Sequence, residues 1–186
     1  LNLKDINEGN GIETQYTRQL FEEGKKTKDP YAIFVAVTHM VTKYANQQEK
    51  SDSLHNYYIK TLEEIEKGTP AEGAATFFKM NIYHRLIGAT TDKQERTEFF
   101  RQIRKEFKAR QATEDKYQKV KRLFLEGLMQ LWELNDQGKS KIYVPEIPLW
   151  EEAWNTAQDF PGEYVRRYYL GSIHSLLSGA YNQQQD

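Results

Sequence analysis

Four histidines, His39, His55, His84 and His174, are the side chains of this chain best suited to bind a metal or carry a proton near neutral pH. A catalytic zinc needs three protein ligands, commonly including two His one helical turn apart. Here each His falls on a different predicted helix, and no His-x-x-x-His spacing occurs. Asp52-x-x-His55 comes nearest, and it reads equally well as a helix N-cap with a His in the first turn. His39 and His84 adjoin core positions, where hydrogen bonds would satisfy them. The chain has no cysteine, which excludes a disulfide, a thiolate nucleophile and a thiolate metal ligand. Neither Gly-x-Ser-x-Gly nor Ser-x-x-Lys occurs, and Gly9-Asn10-Gly11 lacks the third glycine and preceding strand of a dinucleotide site. The carboxylate pairs Glu22-Glu23, Glu63-Glu64 and Glu151-Glu152 are sequence neighbours. Neighbours on a helix diverge by about 100° and cannot straddle one bond, so these pairs read as solvated surface. No catalytic residue, cofactor or metal is expected.

Binding chemistry is better represented. Residues 93–122 carry eleven Lys and Arg against five acids, an excess of six positive charges. Arg101, Arg104, Lys105 and Lys108 form a stripe opposite Phe99, Ile103 and Phe107. Such a stripe can follow phosphates, but these aromatics have core spacing and are not free to stack on bases, so a solvated face is the simpler reading. Residues 142–165 show the opposite bias. Glu146, Glu151, Glu152, Asp159 and Glu163 occur there without Lys or Arg, beside Tyr143, Trp150, Trp154, Phe160 and Tyr164. Flat rings next to carboxylates suit cationic groups or sugar faces. Alternatively the tryptophans clamp a non-helical loop onto the last helices. The candidate ligand-binding residues are Tyr143, Glu146, Trp150, Glu151 and Trp154.

The elements that must position these residues are helical. Tyr117, Val120, Leu123, Phe124, Leu128, Leu131 and Trp132 recur at three- and four-residue steps within Thr113–Asp136, and Leu125, Met129 and Leu134 widen the apolar surface. This helix belongs at the centre of a bundle. Before it, the spacing predicts helices from about Ile12 to Lys26 (Ile12, Tyr16, Leu20 and Phe21 inward) and from Pro30 to about Gln47, capped by Asp29, with Tyr31, Phe34, Val37, Met40, Val41 and Tyr44 on the apolar side. Another starts at Ser51 or Asp52 and stops at Gly68. Thr69-Pro70-Ala71-Glu72 reads as a capping box opening a helix that ends at Gly88, and Thr91-Asp92-Lys93-Gln94 as a second box. Gly138 ends the central helix. A short helix Leu149 to Gln158 and a long one from Glu163 to about Asn182 follow, the latter with Val165, Tyr168, Tyr169, Ile173, Leu176, Leu177 and Tyr181 inward. The expectation is an all-α fold of about eight helices in stacked antiparallel hairpins, helical-repeat-like, with one irregular extended loop near 139–148. Residues 1–11 would be a flexible lead-in, 12–182 a single helical domain and 183–186 a frayed tail.

Composition agrees. Of 186 residues, 38% are hydrophobic and 28% charged, with 12 Tyr, 9 Phe and 3 Trp; that aromatic content argues against disorder. A formal charge of −1 argues against a nucleic-acid role for the whole chain, and no apolar run approaches the ~18 residues of a membrane span. The chain begins at Leu1 rather than Met, as a mature fragment without its targeting segment would.

The helix spacing resembles a tetratricopeptide-type array. Pro70 can stand at that repeat's closing proline and Ala71–Ala75 is a small-residue patch, whereas Asn46 and Tyr58 depart from the motif, so the architecture carries over and the motif does not. Over about a quarter of the chain, Asp52-Ser53-Leu54 leading to Leu62-Glu63, and Ile173-His174-Ser175-Leu176-Leu177 before Ala180-Tyr181, are similar to the helical region of secreted bacterial alpha-2-macroglobulin-like proteins. No thioester Cys-Gly-Glu-Gln is present, so none of that chemistry transfers. The resemblances imply a non-enzymatic interaction module of a bacterial envelope or secreted protein, binding a peptide or partner domain. The alternative is a glycan or small ligand held by residues 142–165, and an enzyme with dispersed residues is a third reading.

Overall fold

The computed structural model describes residues 12–44, 51–139 and 145–183, and among these there are eight α-helices and no strand. They are α1 (Ile12–Thr27), α2 (Pro30–Tyr44), α3 (Ser51–Ile65), α4 (Ala74–Ala89), α5 (Lys93–Arg110), α6 (Lys116–Asp136), α7 (Ile147–Gln158) and α8 (Glu163–Gln183), with a 3-10 turn, Gln111–Thr113, before α6. Sequence neighbours pack as hairpin partners: α1 on α2, α2 on α3, α5 on α6, α6 on α7 and α7 on α8. The chain forms two compact units, Leu1–Phe78 and Lys79–Asp186. The lead-in, residues 140–144 of the predicted extended loop and the tail from 184 lie outside the described residues.

In the N-terminal unit Asp29 caps α2, its Oδ1 accepting the N–H of Tyr31 at 2.9 Å and of Ala32 at 3.3 Å. The inward face of α1 differs from the apolar pattern. Thr17, Phe21 and Gly24 are buried, while Tyr16 is 55% exposed and Leu20 is also at the surface. Gly24 sets this rotation: a Cβ there would stand 2.9 Å from Ile33 Cγ1 and 3.0 Å from Ala32 Cβ, so α2 crosses α1 at the one residue that lets the backbones approach. On α2 the crossing buries Ile33, Phe34, Ala36 and Val37, and Tyr31, predicted inward, is 53% exposed.

The box predicted at Thr69 is a turn instead. Thr69 Oγ1 accepts from Ala71 N at 3.2 Å, and Glu72 reaches Gly68 N at 2.9 Å, one residue short of the reciprocal bond. Gly73, at φ +89°, then interrupts the chain and α4 starts at Ala74. Its first-turn donors are met from behind, by Glu66, whose buried Oε2 accepts from Ala75 N at 2.9 Å. Burial outweighs the Gly73 and Ala75 backbone bonds and pushes the Glu66 carboxyl up to about 7.

In the C-terminal unit Asp92, one residue beyond Thr91, is the actual cap of α5, accepting from Gln94 N and Glu95 N. Asp115 and Gln118 form a full capping box at the start of α6. The end of α6 closes on Gly138 (φ +69°), with Lys139 N donating to Leu134 O at 2.9 Å. α6 buries Tyr117, Val120, Leu123, Phe124, Leu125, Leu128 and Met129 of its apolar face, while Leu131, Trp132 and Leu134 are half-buried.

Candidate functional site

α6 and α7 approach closely at Gly127. Gly127 lies under the Trp150 indole so closely that a Cβ would stand 2.3 Å from Nε1, and Nε1 donates to Phe124 O at 3.2 Å. Trp150 is 1% exposed. α7 opens at Ile147, two residues before its predicted start, with Glu146 as its N-cap and Pro148 in the first turn, where a missing N–H costs nothing.

The structure therefore divides the five candidate residues. Trp150 and Glu146 face inward, each 1% exposed. Glu151 is exposed and Trp154 half-buried, on the outer side of α7. Tyr143 lies outside the described residues. Trp150 clamps α7 onto α6, whereas residues 140–144 of the loop expected under the tryptophans lie outside the described residues; Trp154 is the ring that solvent reaches.

Between α7 and α8 an open cleft of about 490 Å³ is lined by Glu151, Trp154, Asn155, His174, Ser178 and Tyr181, with Leu177. The Trp154 and His174 rings lie 5.9 Å apart at 47°. Tyr181 Oη donates to Glu151 Oε1, and this bond first, then burial, holds the phenol above its ordinary range. Across Glu151 and Asn155 the surface continues into a second open depression of about 620 Å³, where Glu152, Asp159, Thr156 and Pro148 meet Lys116. α6 supplies the counter-charge: Lys119 Nζ lies 2.8 Å from Glu152 Oε1, and Lys116 Nζ reaches Asp159 O at 3.4 Å. The whole face can accept hydrogen bonds, stack one aromatic ring and hold a cation.

The sequence singled out Glu151 and Trp154, offered His174 only as a metal ligand, and missed Asn155 and Ser178. It placed Tyr181 and Tyr168 on the inward face of α8, but they are 39% and 47% exposed. The signal for this grouping was present. Trp154 and Asn155 follow Glu151 by three and four residues, and His174, Ser178 and Tyr181 share one face of α8 at the same spacing.

The basic stripe is broken up. Arg104 turns toward α6, with Nη2 2.9 Å from Glu126 Oε1 and Nη1 2.6 Å from Glu133 Oε1. The bond to Glu133 above all, and that to Glu126, hold its proton more tightly than usual despite burial. Arg101 pairs with Glu98 and Arg122 with Glu114, each at 2.6 Å. Arg96, predicted only as one of eleven surface cations, is buried on Asp136, donating to Oδ1 at 2.6 Å and stacking 4.9 Å from the Trp132 ring. Lys121 is buried too, with Nζ 4.7 Å from the Tyr83 ring centre.

His39 is exposed rather than set against the core. His84 is half-buried edge-on to Phe124, and burial first, then the charge of Arg85, holds its imidazole below the usual range. The His55 side chain lies outside the described residues. Among the described residues no three His, Asp or Glu side chains gather as metal ligands, and no helix is long and apolar enough to cross a membrane. No protein-family model, curated protein or solved structure matches the chain.

Proposed function

We propose that the protein is a non-enzymatic helical interaction module that holds a peptide or partner domain on the outer face of α7 and α8. The observation that carries this reading is the solvent-reached Trp154 ring, framed by Glu151, Asn155, His174 and Tyr181 in an open cleft. A peptide with a basic side chain fits best: the Trp154 ring and Glu151 take the cation, and Asn155 and Ser178 take backbone groups. Of the cations that could bind phosphate, Arg96, Arg104 and Arg122 are engaged with Asp136, Glu126 and Glu114. That favours a protein partner over nucleic acid.

A glycan is the second reading. Trp154 beside Asn155 and Glu151 offers a sugar one stacking face and polar neighbours, but Trp150, buried in the core, adds no second ring. The tetratricopeptide-like spacing supports a hairpin-array binding scaffold, and the likeness to secreted alpha-2-macroglobulin-like proteins supports a bacterial envelope or secreted setting.

The test is a peptide and glycan panel read against wild type and a folded Trp154→Ala variant. Loss of a stacked cation–ring contact is expected to weaken a basic peptide by about tenfold. Peptides that bind both proteins equally would remove the surface from consideration, and hits confined to glycans would favour the second reading.

A further inference from the structure

A cavity of about 120 Å³ lies where α6, α7 and α8 meet in the C-terminal unit. Among the described residues Leu131, Trp150, Leu176, Gly179 and Ala180 give it a mostly apolar wall, joined by Ser175 and Glu146. Glu146 is the exception in this setting. It is 1% exposed, its Oε2 makes no hydrogen bond, and it sits at the N-cap of α7 without using its side chain as a cap. A buried carboxyl oxygen without a donor costs free energy, so neither packing nor capping accounts for an acid here. Gly179 lines the α8 side at an exposed position, and a Cβ added there would meet nothing within 4 Å.

The pocket is partly open to solvent, and its mostly apolar wall carries one buried carboxyl. A guest that satisfies both halves has a short apolar stem and an N–H donor at one end. A positive donor fits better than a neutral one, because hydrogen bonds between two ions are roughly twice as strong as neutral ones. We propose that this cavity binds a primary alkylammonium group, its nitrogen donating to the Glu146 carboxylate and its methylenes packed against Leu131, Leu176 and the Trp150 indole. Burial holds the Glu146 carboxyl above the ordinary carboxylate range, and an ammonium partner restores the charged form. A free amine and the lysine side chain of a peptide present the same chemistry. Glu151 and Trp154 are not among the walls, so the proposal does not rest on the outer face of α7.

The experiment follows the Trp150 indole N–H resonance of the full chain during titration with n-butylammonium, n-butanol and butyrate at matched ionic strength. A saturable shift is expected with butylammonium and none with butyrate. Glu146→Gln is expected to weaken the butylammonium response by about tenfold or more. Gly179→Leu, which sets a large side chain at the rim of the pocket where a Cβ meets no neighbour, is expected to weaken it severalfold with the helical circular dichroism intact. Blocked lysine methylamide separates the sources: a shift with it indicates that a peptide lysine reaches the cavity, and a response confined to butylammonium indicates a free amine. No saturable shift in wild type, a response to butanol as strong as to butylammonium, or an undiminished response in either variant would overturn the proposal.

Discussion

The basic window at residues 93–122 and the acidic, aromatic window at 142–165 look like mirror images in the sequence, yet the fold treats them differently. The cations of the first are largely matched. Arg96 meets Asp136, and Arg104 meets Glu126 and Glu133, three acids that all come from α6 beyond the window that defined the excess. The second window splits along the period of one helix. Glu146 and Trp150 turn into the core, while Glu151 and Trp154 turn out to an open cleft. A run of like charge therefore says little about surface potential until the segment packed against it is known. Ion pairs across a hairpin consume an excess that local counting reports as available.

The largest effect that would sharpen this contrast is at its inward half. Trp150→Ala removes a fully buried indole and its bond to Phe124 O, and is expected to cost about 3–5 kcal/mol of unfolding free energy. Chemical denaturation measures it; a loss near zero would put Trp150 on the surface with Trp154.

Next is a buried acid that no cation answers, the opposite case to Arg96. The Glu66 carboxyl sits at about 7 in the fold against an ordinary 4.5. A raised folded value means that this group's contribution is complete below about pH 4.5 and is lost as pH rises through about 7. The loss amounts to at most about 3 kcal/mol. Urea titrations from pH 4.5 to 8 should show the decline in wild type and a flatter profile in Glu66→Gln. Identical profiles would mean that the Gly73 and Ala75 N–H groups offset the burial.

Arg104→Met comes third. It leaves Glu126 and Glu133 facing each other without their shared cation. The expected cost is about 1–2 kcal/mol, below that of a fully buried pair, because the Arg104 side chain is 36% exposed. The smallest effect is expected for Lys105→Glu with Lys108→Glu, exposed positions where stability should change by no more than about 0.5 kcal/mol each.

Most of the fold could be read from periodicity and caps. The central helix, the Asp29 cap and the Gly138 stop follow local rules, so they survive in the structure. What local rules could not supply were the effects of close approach. Gly24 rotates α1 so that Thr17 and not Tyr16 faces in, and Gly73 delays α4 until Glu66, nine residues before Ala75, can cap it. The candidate surface was half legible for a related reason. Glu151 and Trp154 stand out as acid and aromatic in one window, whereas His174 and Tyr181 join them only because α8 folds back along α7.

The most direct test of the central claim, that α7 and α8 and not α5 form the interaction surface, is charge reversal on each face with one basic peptide as ligand. Affinity is compared for Glu151→Lys with Glu152→Lys and for Lys105→Glu with Lys108→Glu, at low and high salt. Reversal on α7 is expected to weaken binding by about tenfold or more at low salt, and reversal on α5 to change it less than about twofold. Binding that survives reversal on α7 and collapses on reversal at Lys105 and Lys108 would contradict the account and make the basic stripe the binding surface.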